Sequence, residues 1–252
     1  MSIEVKNLRF CYGARPVIGD VSFTAEKGEL LAVLGPNGVG KSTLFRCLLG
    51  FLEPKRGSVK IAGRDVRDYS RRALAAELAY IPQSYSPAFD HTVLDSVLMG
   101  LGAQLGPFDS PSREQTNAAQ RILDELGIGA LASRGCMRIS GGERQRMLLA
   151  QVLCQEPDVL LLDEPGNHLD LRFQQELFLL IDAWRREPGH AVVSVVHDLS
   201  LARKFGTHAL LLSAVRGAYG EIAGILTPSA LESAWQMDVV GWLRSLGDVW
   251  QE

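Results

Sequence analysis

An α/β fold is what this sequence predicts: a parallel sheet core carrying an antiparallel β subdomain and an inserted helical subdomain. Three observations predict it. Continuous apolar runs at residues 30–34 (LLAVL), 159–162 (VLLL) and 191–196 (AVVSVV) have the length of strands buried on both faces, as in parallel sheets. Two β-prone segments, 3–10 and 17–24, separated by Gly13, Pro16 and Gly19, read as antiparallel strands joined by turns. Helical spacing dominates from about residue 84 to 157, between a strand that ends at Pro82 and the apolar run at 159.

The first apolar run leads into Gly35-Pro36-Asn37-Gly38-Val39-Gly40-Lys41-Ser42-Thr43, which fits G-x-x-x-x-G-K-[ST]. Glycines there free the backbone to wrap phosphates, a lysine meets the outer phosphates, and a hydroxyl ligates Mg²⁺. Residues 43–49 pair apolar side chains at i, i+4 (Leu44 with Leu48, Phe45 with Leu49), and Gly50 closes that helix. Strand, glycine loop and helix N-terminus together form an anion site.

Tyr12 falls on the turn between the first two strands, where it is either a half-buried edge aromatic or a platform for a base. Residues 57–63 form an alternating strand, 71–78 a helix, and 79–82 a strand that proline terminates, with Gln83 directly after it. Thr92 and Asp95 form a capping box for a helix over 92–99. A polar loop over 102–112 precedes an amphipathic helix through Ile122, Leu123 and Leu126 that stops at Gly127. Ser140-Gly141-Gly142-Glu143 opens the next helix with an S-x-x-E box. Two consecutive glycines in a first turn cost roughly 1 kcal/mol each relative to Ala, which suggests that something approaches the backbone closely.

The apolar run at 159–162 ends in Asp163-Glu164-Pro165, and that at 191–196 in His197-Asp198. Ligands of parallel sheets bind outside the carboxyl ends of the strands. Asp163 and Glu164 thus stand where a Mg²⁺-nucleotide needs an acid in its metal shell and a residue to orient water. Strands over 209–212 and 219–223 follow, and Thr227-Pro228 opens helical sequence.

The whole-chain numbers narrow the class. An apolar content of 46% and a charged content of 22% over 252 residues are those of a globular protein, and a net charge of -3 gives no reason to expect nucleic acid. The four cysteines, Cys11, Cys47, Cys136 and Cys154, lack metal or disulfide spacing and read as reduced thiols of a cytoplasmic protein. No basic-then-apolar leader follows Met1, and no apolar run approaches the ~18 residues of a membrane span. No internal repeat is present.

Taken in order, these stretches resemble the nucleotide-binding subunit of an ATP-binding cassette transporter, from Val5 to about Leu231. The resemblance implies a P-loop NTPase core and one cassette over 1–252, with 1–83 and 158–252 as α/β core plus β subdomain and 84–157 as helical subdomain. It gives Tyr12 base stacking, Gly35 to Thr43 the phosphates, and Gln83 a Mg²⁺-sensing contact that also reaches the membrane partner. Ser140, Gly141, Gly142 and Glu143 match the family signature, Asp163 the metal-shell acid and Glu164 the catalytic carboxylate. Asn167 to Asp170 match a loop crossing the dimer interface, with Asp170 beside ATP, and His197 matches the γ-phosphate switch. Two departures stand out: I-S-G-G-E where L-S-G-G-Q is commoner, and Gly166 where threonine is usual.

The resemblance further implies ATP and Mg²⁺ as cofactors, a head-to-tail homodimer sandwiching two ATP molecules, separate membrane-spanning permease subunits, and a solute-binding protein engaged indirectly. The chain would lie peripherally on the inner face of the cell membrane. Tyr80-Ile81-Pro82-Gln83 and the stretch from Phe89 to Gly100 look like importers of iron chelates, haem, cobalamin and, in some cases, molybdate. Asn167-His168-Leu169-Asp170 also looks like soluble translation-associated cassette ATPases, but those carry two cassettes and a charged linker, where this sequence has one phosphate loop and one signature. A small-molecule kinase on the same core would leave the signature helix without a purpose.

Overall fold

The computed structural model describes residues 2–106, 108–167, 169–214 and 216–248. Two sheets carry the fold. Strands β1 (Ile3–Tyr12), β2 (Arg15–Ala25), β4 (Arg56–Ile61) and β5 (Arg64–Asp65) form an antiparallel sheet in the order β2-β1-β4-β5. The second sheet takes β3 (Leu30–Leu34), β6 (Leu78–Ile81), β7 (Val159–Asp163), β8 (Ala191–Val195), β9 (His208–Ser213) and β10 (Arg216–Glu221) in the order β10-β9-β3-β8-β7-β6. All its pairings are parallel except β10 with β9.

The period of two along the central strands divides the interior into two cores. Leu30, Ala32, Leu34, Leu160, Leu162 and Val192 face one core; Leu31, Val33, Val159, Leu161, Val193 and Val195 face the other. Every residue of β3, β7 and β8 is buried, which is why these runs are apolar without alternation. On the second face helix α1 (Lys41–Leu48) buries Leu44, Phe45, Cys47 and Leu48 between the two sheets.

The first face is covered by helices. Between β6 and β7 come α2's successors α3 (Val93–Leu98), α4 (Arg113–Glu125) and α5 (Gly141–Cys154), while α2 (Arg71–Glu77) precedes β6. Val97, Leu123 and Met147 join the sheet residues in one continuous core. Helices α6 (Leu171–Arg186), α7 (Leu199–Phe205), α8 (Ile222–Ile225), α9 (Pro228–Trp235) and α10 (Val239–Asp248) complete the described chain. None of the helices among the described residues is long and apolar enough to cross a membrane.

Several local expectations change. Tyr12 is the last residue of β1, paired with Arg15, because Gly13, at φ 59°, and Ala14 alone make the turn. Helix α1 starts at Lys41 rather than Thr43, its cap being Gly40. The strand expected over 57–63 stops at Ile61, since Ala62 (φ 49°) and Gly63 (φ 81°) turn the chain into β5. The strand expected over 219–223 runs instead over Arg216–Glu221, in register with β9, and Ile222 begins α8.

Thr92 caps α3 by accepting from Asp95 N at 3.0 Å, but Asp95 returns no bond to the Thr92 backbone. The aspartate, one methylene shorter than glutamate, accepts from the Thr92 hydroxyl at 2.6 Å instead. A full capping box forms where it was not expected, Ser112 with Gln115 on α4, and where it was, Ser140 with Glu143 on α5.

Candidate active site

The site grows from the carboxyl edge of the parallel sheet. After β3 the chain turns at Gly35 (φ 144°), where an added Cβ would lie 2.4 Å from the Leu212 carbonyl oxygen; no side chain fits there. Gly38 (φ 77°) and Gly40 (φ 113°) continue the loop, and Gly40 caps α1 without any side-chain hydrogen bond. No acidic residue occupies the first turn of α1. The first N–H groups of that helix therefore face the loop's hollow together with the positive end of its dipole, an arrangement that attracts phosphate.

Lys41 is buried within this hollow, 6% exposed, and its Nζ donates to the carbonyl oxygens of Gly35 at 2.8 Å and Pro36 at 3.1 Å. Burial lowers its pKa, while Glu164 and Asp163 act in the opposite sense. The ammonium is thereby fixed at the loop, and the cost of its burial is offset by two carbonyls and two nearby carboxyls.

Asp163 ends β7, two strands away from β3 across β8, and is 5% exposed. The Tyr80 hydroxyl donates to its Oδ2 at 3.4 Å, while Oδ1 is buried with no hydrogen-bond partner. Burial first, and then the neighbouring Glu164, hold the Asp163 carboxyl above the usual carboxylate range. Tyr80 in turn is pushed up to about 12, mainly by burial.

Glu164 follows in the left-handed region at φ 55°. Its carboxylate is the hub of the site. Gln83 Nε2 donates to Oε2 at 2.7 Å, Asn167 Nδ2 to the same oxygen at 2.9 Å, and His197 Nε2 lies 2.5 Å from Oε1. Three chain segments, following β6, β7 and β8, are thus joined at one side chain.

A cleft of about 860 Å³ brings together Tyr12, Asn37, Gly38, Gly40, Lys41, Ser42, Thr43, Gln83, Glu164 and His197. Gly35 and Pro36 support it through their carbonyls, and Asp163 lies buried beside Glu164. Arg15, Val17 and Asn167 also line it. Sequence reasoning had not picked out Arg15 or Val17; the signal was their position just past the turn from Tyr12, visible once the hairpin is paired.

Ser140, Gly141, Gly142, Glu143 and Asp170 do not line this cleft. Ser140 Oγ accepts from Glu143 N at 3.3 Å, and Glu143 accepts from Ser140 N at 2.7 Å, a bond that holds the Glu143 carboxyl below its ordinary value. Nothing lies within 4 Å of a Cβ added at Gly141, whereas one at Gly142 would meet the Phe173 ring at 3.1 Å. The second glycine thus has a packing reason inside the chain, whereas a side chain at Gly141 would meet open space. Asp170 caps α6 by accepting from Phe173 N at 2.9 Å, and Arg146 lies over the Phe173 ring, linking the two helices. His168 lies outside the described residues.

Chemically, the cleft combines a phosphate cradle, a fixed ammonium and a carboxylate held in one orientation, as a phosphoryl-transfer site requires. Residues 18–167 match the family model described as "ABC transporter". The chain is 43% identical over 201 residues to an uncharacterized ABC transporter ATP-binding protein of Bacillus subtilis, covering 79% of this chain but only 46% of that relative. To a hemin import ATP-binding protein of Bradyrhizobium diazoefficiens it is 37% identical over 249 residues, covering 94% of this chain and 90% of the relative. A solved inward-facing structure described as a metal-chelate type ABC transporter superposes with a TM-score of 0.84 at 32% identity, over 94% of this chain and 90% of the other. Cradle, fold and relatives agree that this chain belongs to the ABC transporter family, as one of its ATP-binding, ATP-hydrolysing cassettes.

Proposed function

We propose that the chain powers a membrane importer for an iron chelate, haem or a related metal-containing solute, binding and hydrolysing ATP as the peripheral subunit of a larger assembly. The observation that carries the catalytic part is Glu164, held by Gln83, Asn167 and His197 at the mouth of the phosphate loop. Tyr12 would receive the base, the amides following Gly38 and Lys41 the β- and γ-phosphates, and Glu164 would orient the attacking water or take its proton. His197, beside Glu164, would steady the γ-phosphate, and Gln83 would report on the occupancy of the site to the surface that meets the permease.

The residues fit Mg²⁺: Asp163 Oδ1 is a buried acceptor without a partner, and Ser42 stands at the loop's helix N-terminus. Ser42, Asp163 and Gln83 would hold the ion directly or through water, and the ion would supply charge neutralisation on the phosphates.

One copy does not complete the arrangement. Ser140 and Gly141 are exposed and stand outside the cleft, so their use as phosphate ligands requires a second copy placed head to tail. ATP would then close the dimer and hydrolysis would open it. Residues 84–157 would move as a helical subdomain against the core formed by 1–83 and 158–252, carrying closure to the membrane-spanning permease. On this reading the chain would work in the cytoplasm at the inner membrane face, with a solute-binding protein contacting the permease.

Cargo is supported by the hemin import relative and the metal-chelate type neighbour. The test is reconstitution: the chain, its copurified permease and a solute-binding protein in liposomes, assayed for ATP-driven uptake of haem, ferric chelates, cobalamin and molybdate. Uptake of haem or a chelate supports the reading. Co-sedimentation with ribosomes and no membrane partner would favour a soluble cassette ATPase instead.

A further inference from the structure

We propose that Arg15 holds the α-phosphate of the bound nucleotide, a role that rests on the ATP site described above. Arg15 pairs directly with Tyr12 across the first hairpin, so both side chains stand on the same face of the antiparallel sheet. Val17 lies two residues further along β2, at the point where the register against β1 shifts. It is Val17 that packs against the end of the phosphate loop: a Cβ at Gly40 would lie 3.0 Å from Val17 Cγ1. Tyr12, Arg15 and Val17 all line the cleft.

This hairpin therefore sets Tyr12 and Arg15, level with each other, at one end of the cleft and Val17 against the phosphate loop at the other. A nucleotide with its base on Tyr12 and its outer phosphates in the loop runs its ribose and α-phosphate along this side of the cleft, past the long Arg15 side chain. The cation is available: Arg15 is exposed and has no hydrogen bond or ion pair among the described residues. Lys41, the other lysine or arginine lining the cleft, is already bound to Gly35 and Pro36 at the far end. A planar guanidinium with two parallel N–H donors suits a phosphate oxygen pair, which a lysine matches only as a point charge.

The experiment compares the wild-type chain with Arg15→Ala and Arg15→Lys, titrating ATP, ADP, AMP and adenosine in competition with a fluorescent ATP analogue. The Arg15 side chain is exposed and makes no hydrogen bond or ion pair among the described residues, so circular dichroism and melting temperature should be unchanged. Arg15→Ala is expected to weaken ATP, ADP and AMP by a common factor of about tenfold and to leave adenosine unaffected, with partial recovery in Arg15→Lys. Unchanged affinities, a loss confined to ATP, or an equal loss for adenosine would each overturn the assignment, the last two by moving Arg15 to the γ-phosphate or to the base. Lys41→Ala serves as the control for the site itself: if it binds ATP as the wild type does, the nucleotide reading of the cleft fails, whereas weakened ATP binding in that control together with unchanged affinities in Arg15→Ala overturns the Arg15 role alone.

Discussion

The imidazole Nε2 of His197 lies 2.5 Å from Oε1 of Glu164, tying the end of β8 to the residue just past β7 across neighbouring strands. With Gln83 and Asn167 on the other oxygen, the carboxylate is held in one orientation by the chain itself. Preorganisation of that kind lowers the reorganisation needed during reaction.

Glu164→Gln keeps the side chain's shape and its ability to hydrogen-bond while removing the charge that draws a proton from water. ATP affinity should stay within a few-fold, and turnover should fall by at least about a hundredfold, the range of general-base catalysis. Steady-state ATPase assays and equilibrium binding check both halves. Substantial residual turnover would move the catalytic role to another group.

Lys41→Ala removes the ammonium fixed by Gly35 and Pro36. Loss of a charge-assisted phosphate contact should weaken ATP by roughly ten- to a hundredfold, since each about 1.4 kcal/mol is a factor of ten. Calorimetric titration of ATP gives the answer directly. Normal affinity would place the phosphates elsewhere.

The loop glycines separate backbone need from ligand need. Gly35→Ala brings a Cβ against the Leu212 carbonyl at 2.4 Å, whereas Gly38→Ala meets nothing within 4 Å and suffers only its positive φ. Gly38→Ala should cost about 1–2 kcal/mol of stability and Gly35→Ala distinctly more, because Ala in the left-handed region carries about that penalty before any clash. Urea denaturation of both variants tests the order; equal stabilities would contradict the packing of β3 against β9 at this point.

Asp163 is a buried carboxylate with one oxygen unpartnered. Burial holds its pKa above the unfolded value, so its contribution to stability is fully present below the unfolded pKa and lost as pH rises through the folded one. At neutral pH the buried, half-unpartnered carboxylate is a liability in the nucleotide-free protein. Asp163→Asn should therefore raise the melting temperature at neutral pH, with the gain shrinking as pH falls through the raised folded pKa toward the unfolded carboxyl value, while Mg²⁺-dependent hydrolysis is lost. A lower melting temperature at neutral pH would contradict this account of Oδ1.

Much of this was legible because the informative residues are adjacent in sequence. Residues 30–43 announce strand, loop and helix in one stretch, and the apolar runs ending at Asp163 and His197 lead to the same sheet edge. The three-way clasp on Glu164 was not legible, since it depends on strands β6, β7 and β8 lying side by side, an order set by crossovers between distant segments. The packing at Gly142 was not legible for a similar reason: its partner, the Phe173 ring, is 31 residues away on α6, and no local pattern announces that contact. Arg15 escaped notice because a single exposed arginine carries no pattern until Tyr12 is seen opposite it.

A mixed dimer tests the shared site most directly. One copy carries Lys41→Ala and the other Ser140→Ala, so that a head-to-tail arrangement concentrates both defects in one site and leaves the other with all its groups. Such a dimer should bind ATP at one intact site, while a dimer whose copies each carry both substitutions should bind at neither. As a cap alone, Ser140→Ala would cost about 1 kcal/mol of stability within its own copy, which a melting curve of the single variant records separately. Equal loss of ATP binding at both sites of the mixed dimer would contradict the trans arrangement and place Ser140 at the ATP of its own copy.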